Sequence, residues 1–214
     1  MRWMDAARRF GGLLWVAAGV VFQLVMLGRV RPGVITLILI AATVLLAAAV
    51  VTARGRPRRL VRMLGRLAAV LLALDFAGAV ADRFGLFGTE GASWGSWDAF
   101  VSYTGRLLPF VPDSLVGVAA ASATAGEIAL AIWLVSGRQR RWAGKAAAGL
   151  LTVYLVAMGL AIGLTEVARF ALPIQIGGAL LVSAIPARRS APAADGTPAI
   201  DAGEPIPQHA RRGQ

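Results

Sequence analysis

Six apolar runs, each about the length needed to cross a lipid bilayer, follow one another along this chain and leave it few folds to choose from. They cover Gly11–Gly28, Val34–Ala53, Met63–Ala81, Leu115–Ser136, Ala143–Gly163 and Ala168–Ile185. A bilayer core of about 30 Å takes roughly 20 helical residues. In lipid every backbone N–H and C=O must find its partner within the protein, so a span this apolar folds as an α-helix. Composition agrees: 57% of the 214 residues are apolar and the mean hydropathy is +0.69, well beyond a soluble domain. The expected fold is all-α, a polytopic membrane helix bundle of about six spans. The last run carries Arg169 near its start and Pro173 within it, which predicts a short or kinked helix. The first two runs are separated only by residues 29–33 and read as a transmembrane hairpin within residues 1–56.

The net charge of +11 would point to nucleic acid in a soluble chain. Here the basic residues fall between the apolar runs, form no aromatic-interleaved groove, and read as topology signals and contacts to anionic headgroups, with no nucleic-acid partner. Arg2, Arg8 and Arg9, then Arg54 to Arg62, then Arg138 to Lys145 all fall on one side of a six-span bundle. That side is cytoplasmic by the positive-inside rule, which puts both termini in the cytoplasm. The segment from Arg188 to Gln214 is small, polar and Pro-rich, and is expected to be a disordered cytoplasmic tail within residues 187–214. The chain has no Cys, which excludes thiolate metal sites, iron–sulfur clusters and an internal dithiol relay. His209, the one histidine, lies in that tail, so no metal site and no intrinsic cofactor are expected.

The loop over residues 82–114 concentrates Phe84, Phe87, Trp94, Trp97, Phe100, Tyr103 and Phe110. Aromatic side chains favour the membrane interface. Asp98–Leu108 reads as an amphipathic segment on that surface, stopped by Pro109 and Pro112, with Asp113 or Ser114 placed to cap the next span. Interfacial anchoring and a ligand-facing role are both open to these aromatics.

Polar residues within the apolar runs mark the candidate site. A carboxylate at the bilayer centre costs several kcal/mol unless it is protonated, paired or hydrated. Asp75 and Glu127 each lie twelve residues into a span, about 18 Å at 1.5 Å per residue, and Gln23 and Tyr154 reach similar depths. Asp75, Glu127 and Tyr154 therefore form a candidate intramembrane proton or ligand site, with interhelical hydrogen bonding as the plain alternative. Asp82 and Arg83, near Trp94, Trp97 and Tyr103, form a candidate outer-rim site, where a salt bridge of Asp82 with Arg83 or Arg106 would serve equally well to fix the loop.

Between Arg66 and Ile185 the chain carries Arg66-Leu67-Ala68 and Ala81-Asp82-Arg83-Phe84-Gly85, a loop with Trp97, Phe100, Tyr103-Thr104 and Pro109, then Ala123-Thr124-Ala125-Gly126-Glu127 and the Gly137 to Arg141 turn. In these motifs it resembles the DoxX family of small bacterial membrane proteins. The resemblance implies a four-helix membrane domain over residues 57–186, to which the N-terminal hairpin is additional, in the bacterial cytoplasmic membrane. It further implies an accessory or anchor subunit of a quinone- or thiol-linked redox system, more a non-catalytic subunit than a self-contained enzyme, with a quinone as the ligand and a membrane-associated oxidoreductase as the partner. A proton-coupled carrier and a structural scaffold that recruits a soluble partner are the alternatives.

Overall fold

The computed structural model describes residues 2–30, 33–52, 58–87 and 94–185. Within them the regular elements are α-helices: α1 (Arg2–Met26), α2 (Val34–Thr52), α3 (Arg58–Arg83), α4 (Trp97–Leu107), α5 (Asp113–Ser136), α6 (Arg140–Ala161), α7 (Leu164–Arg169) and α8 (Leu172–Ala184). The expected tail lies outside the described residues, as do residues 88–93 of the aromatic loop.

The chain is a multi-pass membrane bundle in which, among the described residues, four helices are long and apolar enough to cross a bilayer: Ala6–Met26, Arg59–Arg83, Asp113–Ser136 and Arg140–Ala161. Four candidate spans thus stand where the sequence led to six. The stretches Thr36–Thr52 and Leu172–Ala184 are apolar but shorter. The sixth run is divided because Ala171 takes a left-handed conformation at φ 49°, separating six-residue α7 from α8. Pro173 then sits in the first turn of α8, where its missing N–H has no intrahelical carbonyl to lose.

Short α8 occupies the centre of the bundle, touching α1, α2, α3 and α6. Nearly every one of its residues is buried, as a helix apolar all round requires. Glycines allow the close approach. A Cβ on Gly177 would stand 2.8 Å from the Val16 backbone N, and one on Gly144 would stand 2.6 Å from the Ala179 carbonyl oxygen. Backbones therefore meet at van der Waals distance, the small-residue packing by which helices associate without a hydrophobic driving force from water. Gln23 of α1 donates to the Ala168 carbonyl oxygen at 3.0 Å, tying α1 to the α7 end. α1 and α2 pack more extensively on α8 and α3 than on each other.

α4 closes one end. Ser96 caps it by accepting the Ala99 N–H at 3.2 Å, and the next turn of chain leads into α5. Its Phe100, Tyr103 and Thr104 are buried against the bundle, so the aromatic face looks inward. Neither Asp113 nor Ser114 caps α5 as expected: Pro112 holds the cap position without a side-chain hydrogen bond. Asp113 instead sits in the first turn, where a carboxylate complements the helix dipole. α5 ends at Gly137, whose φ of 66° is the left-handed stop glycine accepts without strain, and a short turn leads into α6.

Candidate functional site

Arg83, the last residue of α3, turns its side chain into the bundle, where it is 2% exposed. Its Nη1 donates to Thr124 Oγ1 at 2.7 Å and its Nη2 to Glu127 Oε1 at 2.8 Å. The same Nη2 lies 2.7 Å from Glu127 Oε2, so a single guanidinium nitrogen sits between the two carboxylate oxygens. Glu127 is 1% exposed and also accepts a short hydrogen bond from the Tyr154 hydroxyl of α6. Thr124, one helical turn before Glu127, passes its own proton to the Ala120 carbonyl oxygen at 2.9 Å and so offers its lone pairs to Arg83. Two unit charges withdrawn from water cost several kcal/mol each, which only close pairing and further hydrogen bonds offset. Helices α3, α5 and α6 supply both here.

The guanidinium is enclosed on its faces by aromatic rings from the α4 end. Its Cζ is 3.7 Å from the Phe100 ring centroid and 5.2 Å from that of Trp94, the geometry of cation–π attraction in a desolvated site. Trp94 in turn meets Phe100 and Tyr103 edge-on and stacks on Phe170 at 6.0 Å.

Below this aromatic roof lies a cavity of about 220 Å³. Its wall is mostly apolar. The polar groups that line it form two hydrogen-bonded clusters: Arg83, Glu127 and Tyr154 in one, Asp75 and Gln175 in the other. Gln175 Nε2 donates to Asp75 Oδ2 at 2.9 Å and to the Phe170 carbonyl oxygen at 2.8 Å. The second of these satisfies a carbonyl freed where α7 gives way to α8.

The two candidate sites read from the sequence thus meet in one place. Asp75, Glu127 and Tyr154 line the cavity together with Arg83, Trp94 and Tyr103. Asp82 and Trp97 are absent from that lining. Asp82 Oδ2 accepts the Trp94 N–H at 3.0 Å, which holds Trp94 in place, and Trp97 stacks on Phe84 at 5.8 Å. The rim pairing of Arg83 with Asp82 gives way to the longer reach of Arg83 to Glu127, because a guanidinium at the helix end has an aromatic slot and a buried carboxylate to satisfy it. Burial, and next the nearby Glu166 carboxylate, push the Tyr103 hydroxyl from 10.0 up to about 12, so it stays protonated.

Sequence reasoning overlooked Gln175 and Phe170. Gln175 carries a readable signal, since it is the long polar side chain within the run Leu172–Ala184; Phe170 carries none. Among the described residues no group of three or more His, Cys, Asp or Glu is placed to hold a metal. The site therefore offers an apolar slot for a flat or compact group, with a charge-assisted hydrogen-bond cluster and an amide–carboxylate pair in its wall. No family model, curated protein or solved structure matches the chain.

Proposed function

We propose that this chain is a DoxX-like accessory membrane subunit of a quinone-linked redox system, and that the cavity receives the quinone ring. The observation that carries the reading is the recessed, mainly apolar cavity of about 220 Å³ with a buried Arg83–Glu127 pair at its edge. An apolar cavity of about 150 Å³ accepts a benzene-sized ring, so this one has room for a substituted ring. Trp94, Phe100 and Phe170 give it aromatic walls to stack on. The ring oxygens then approach the two polar clusters, where Tyr154 with Glu127 and Gln175 with Asp75 orient them and carry the protons that accompany reduction. Electrons come from a partner oxidoreductase, so the chain is a positioning and proton-handling subunit, without catalysis of its own. The basic ends of α1, α3 and α6, opposite α4, favour a bacterial cytoplasmic membrane location with both termini in the cytoplasm and α4 on the outer face.

A proton-coupled carrier is the second reading, favoured by the helix break between α7 and α8 beside the cavity, since broken helices flank the substrate sites of carriers. Gentle purification from the native membrane followed by mass spectrometry separates the two. A quinone or an oxidoreductase retained at one-to-one stoichiometry is the result expected of the redox subunit. A chain that emerges alone and drives proton-dependent flux in proteoliposomes is a carrier.

A further inference from the structure

The cavity is closed toward the bundle centre, where Phe76, Leu172 and Gln175 are 2–3% exposed, and at its roof, where Phe100 and Tyr103 are 5% and 7% exposed. Its open side lies between α5 and α6, which are joined by a short turn yet touch sparsely. There the lining comes from Ala119 and Ala123 on α5 and from Val153 and Ala157 on α6. These positions are spaced by four residues on each helix, which makes each pair one stripe on its helix face. Small side chains leave a gap, and Val153 lines the cavity while 61% exposed.

What the gap faces is decided by its surroundings. The exposed neighbours on the two helices, Leu115 and Val118 on α5 and Val156 and Leu160 on α6, are large and apolar. On candidate spans such a surface meets hydrocarbon. The Tyr154–Glu127 hydrogen bond crosses from α6 to α5 and forms the inner bar of the opening.

Resting on the quinone reading above, the geometry points to a side entrance from the bilayer: the ligand is a ring on a long apolar tail, and in the bound state the tail lies in the α5–α6 gap over Val153. The ring alone fits the cavity. The tail extends the apolar contact into lipid without leaving an unpaired polar group behind, and binding withdraws only the ring from the membrane phase. A tailless, water-soluble ring loses the contact at Val153 and enters only by partitioning.

The test compares two fully substituted benzoquinones, one bearing a decyl chain and one bearing a methyl group in its place. Each is equilibrated with the full chain in detergent, and ligand bound per protein is read by gel filtration in buffer containing free ligand. Val153→Trp fills the gap, with Val153→Phe as a milder variant should the first fold poorly. Leu160→Trp, two turns further along the same face and 84% exposed, is the control for added bulk. The expected result is a Kd for the decyl compound at least tenfold weaker in V153W, with the methyl compound weakened clearly less, and both unchanged within twofold in L160W. No change in either compound, or equal weakening of both, overturns the side entrance while leaving the cavity as a ring site. If neither compound binds the unaltered chain, the quinone reading itself fails and the inference falls with it.

Discussion

Arg83 and Glu127 each make the other tolerable. Either charge alone, at 2% and 1% exposure among apolar helices, would remain unpaired in a low-dielectric interior. Removing one partner of a buried pair costs about 3–5 kcal/mol, whereas replacing both by apolar groups is often close to neutral. Arg83→Leu and Glu127→Leu are therefore each expected to lower stability by about that amount, and the double variant to recover most of it, as read by denaturant titration in detergent micelles. A double variant as unstable as the sum of the singles would mean that the pair is not a mutual contact. Glu127 was legible as a functional suspect because a carboxylate interrupts an apolar run. Arg83 was legible as a candidate at the outer rim, but its pairing with Glu127 was not, because a residue at the end of α3 reads as belonging to the membrane rim. Only the tertiary arrangement, with α5 set beside α3 and aromatic rings above, gives the guanidinium a reason to turn inward.

At the scale of elements, backbone contact around α8 and the docking of α4 decide the architecture. Gly144 faces the Ala179 carbonyl at a distance that no Cβ can share, while a Cβ on Gly149 of the same helix would meet nothing within 4 Å. Gly144→Ala is expected to destabilise by about 1–3 kcal/mol through overpacking. Gly149→Ala should be neutral or stabilising by up to about 1 kcal/mol through helix propensity. The same denaturant titration measures both. Docking of α4 buries Tyr103 and raises its hydroxyl from 10.0 to about 12. Because the folded state favours the neutral hydroxyl, the stability linked to it is fully present below about pH 10 and is lost as pH rises from 10 to 12. Tyr103→Phe should show a shallower loss of thermal stability over that interval; identical slopes would exclude burial as the cause. The helices themselves were largely readable from hydrophobic runs. The division of the last run into α7 and α8 was readable only as a kink near Pro173, and the break falls at Ala171, where packing against α1 and α3 and the Gln175 bond to Phe170 fix a backbone that local sequence leaves free.

For the whole molecule, the all-α membrane bundle followed from composition and apolar run length alone. The span count did not, because hydropathy measures whether a segment avoids water and cannot tell lipid from protein: α8 is apolar since it is surrounded by other helices. Charge is distributed unevenly between the ends. Arg59, Arg62, Arg66, Arg138, Arg140 and Arg141 lie at the starts of α3 and α6 and in the turn before α6, whereas α4 lies at the other end. With no native Cys, single cysteines report orientation cleanly. Ser102→Cys on the exposed side of α4 is expected to react with a membrane-impermeant maleimide in intact spheroplasts, and Arg138→Cys only after lysis. The reverse pattern would invert the topology.

The cavity beneath Trp94 and beside the Arg83–Glu127 pair is proposed to hold a membrane-dissolved ring. Photoaffinity labelling addresses this most directly: an azido-substituted quinone is irradiated in membranes that contain the full chain, and labelled peptides are located by mass spectrometry. Label is expected to concentrate on cavity-lining positions of α5, α6 and the α4 roof, such as Ala123, Tyr154 and Tyr103, and to be competed away by unlabelled quinone. Label confined to lipid-facing positions such as Leu160, with no competition, would contradict a ring site in the cavity.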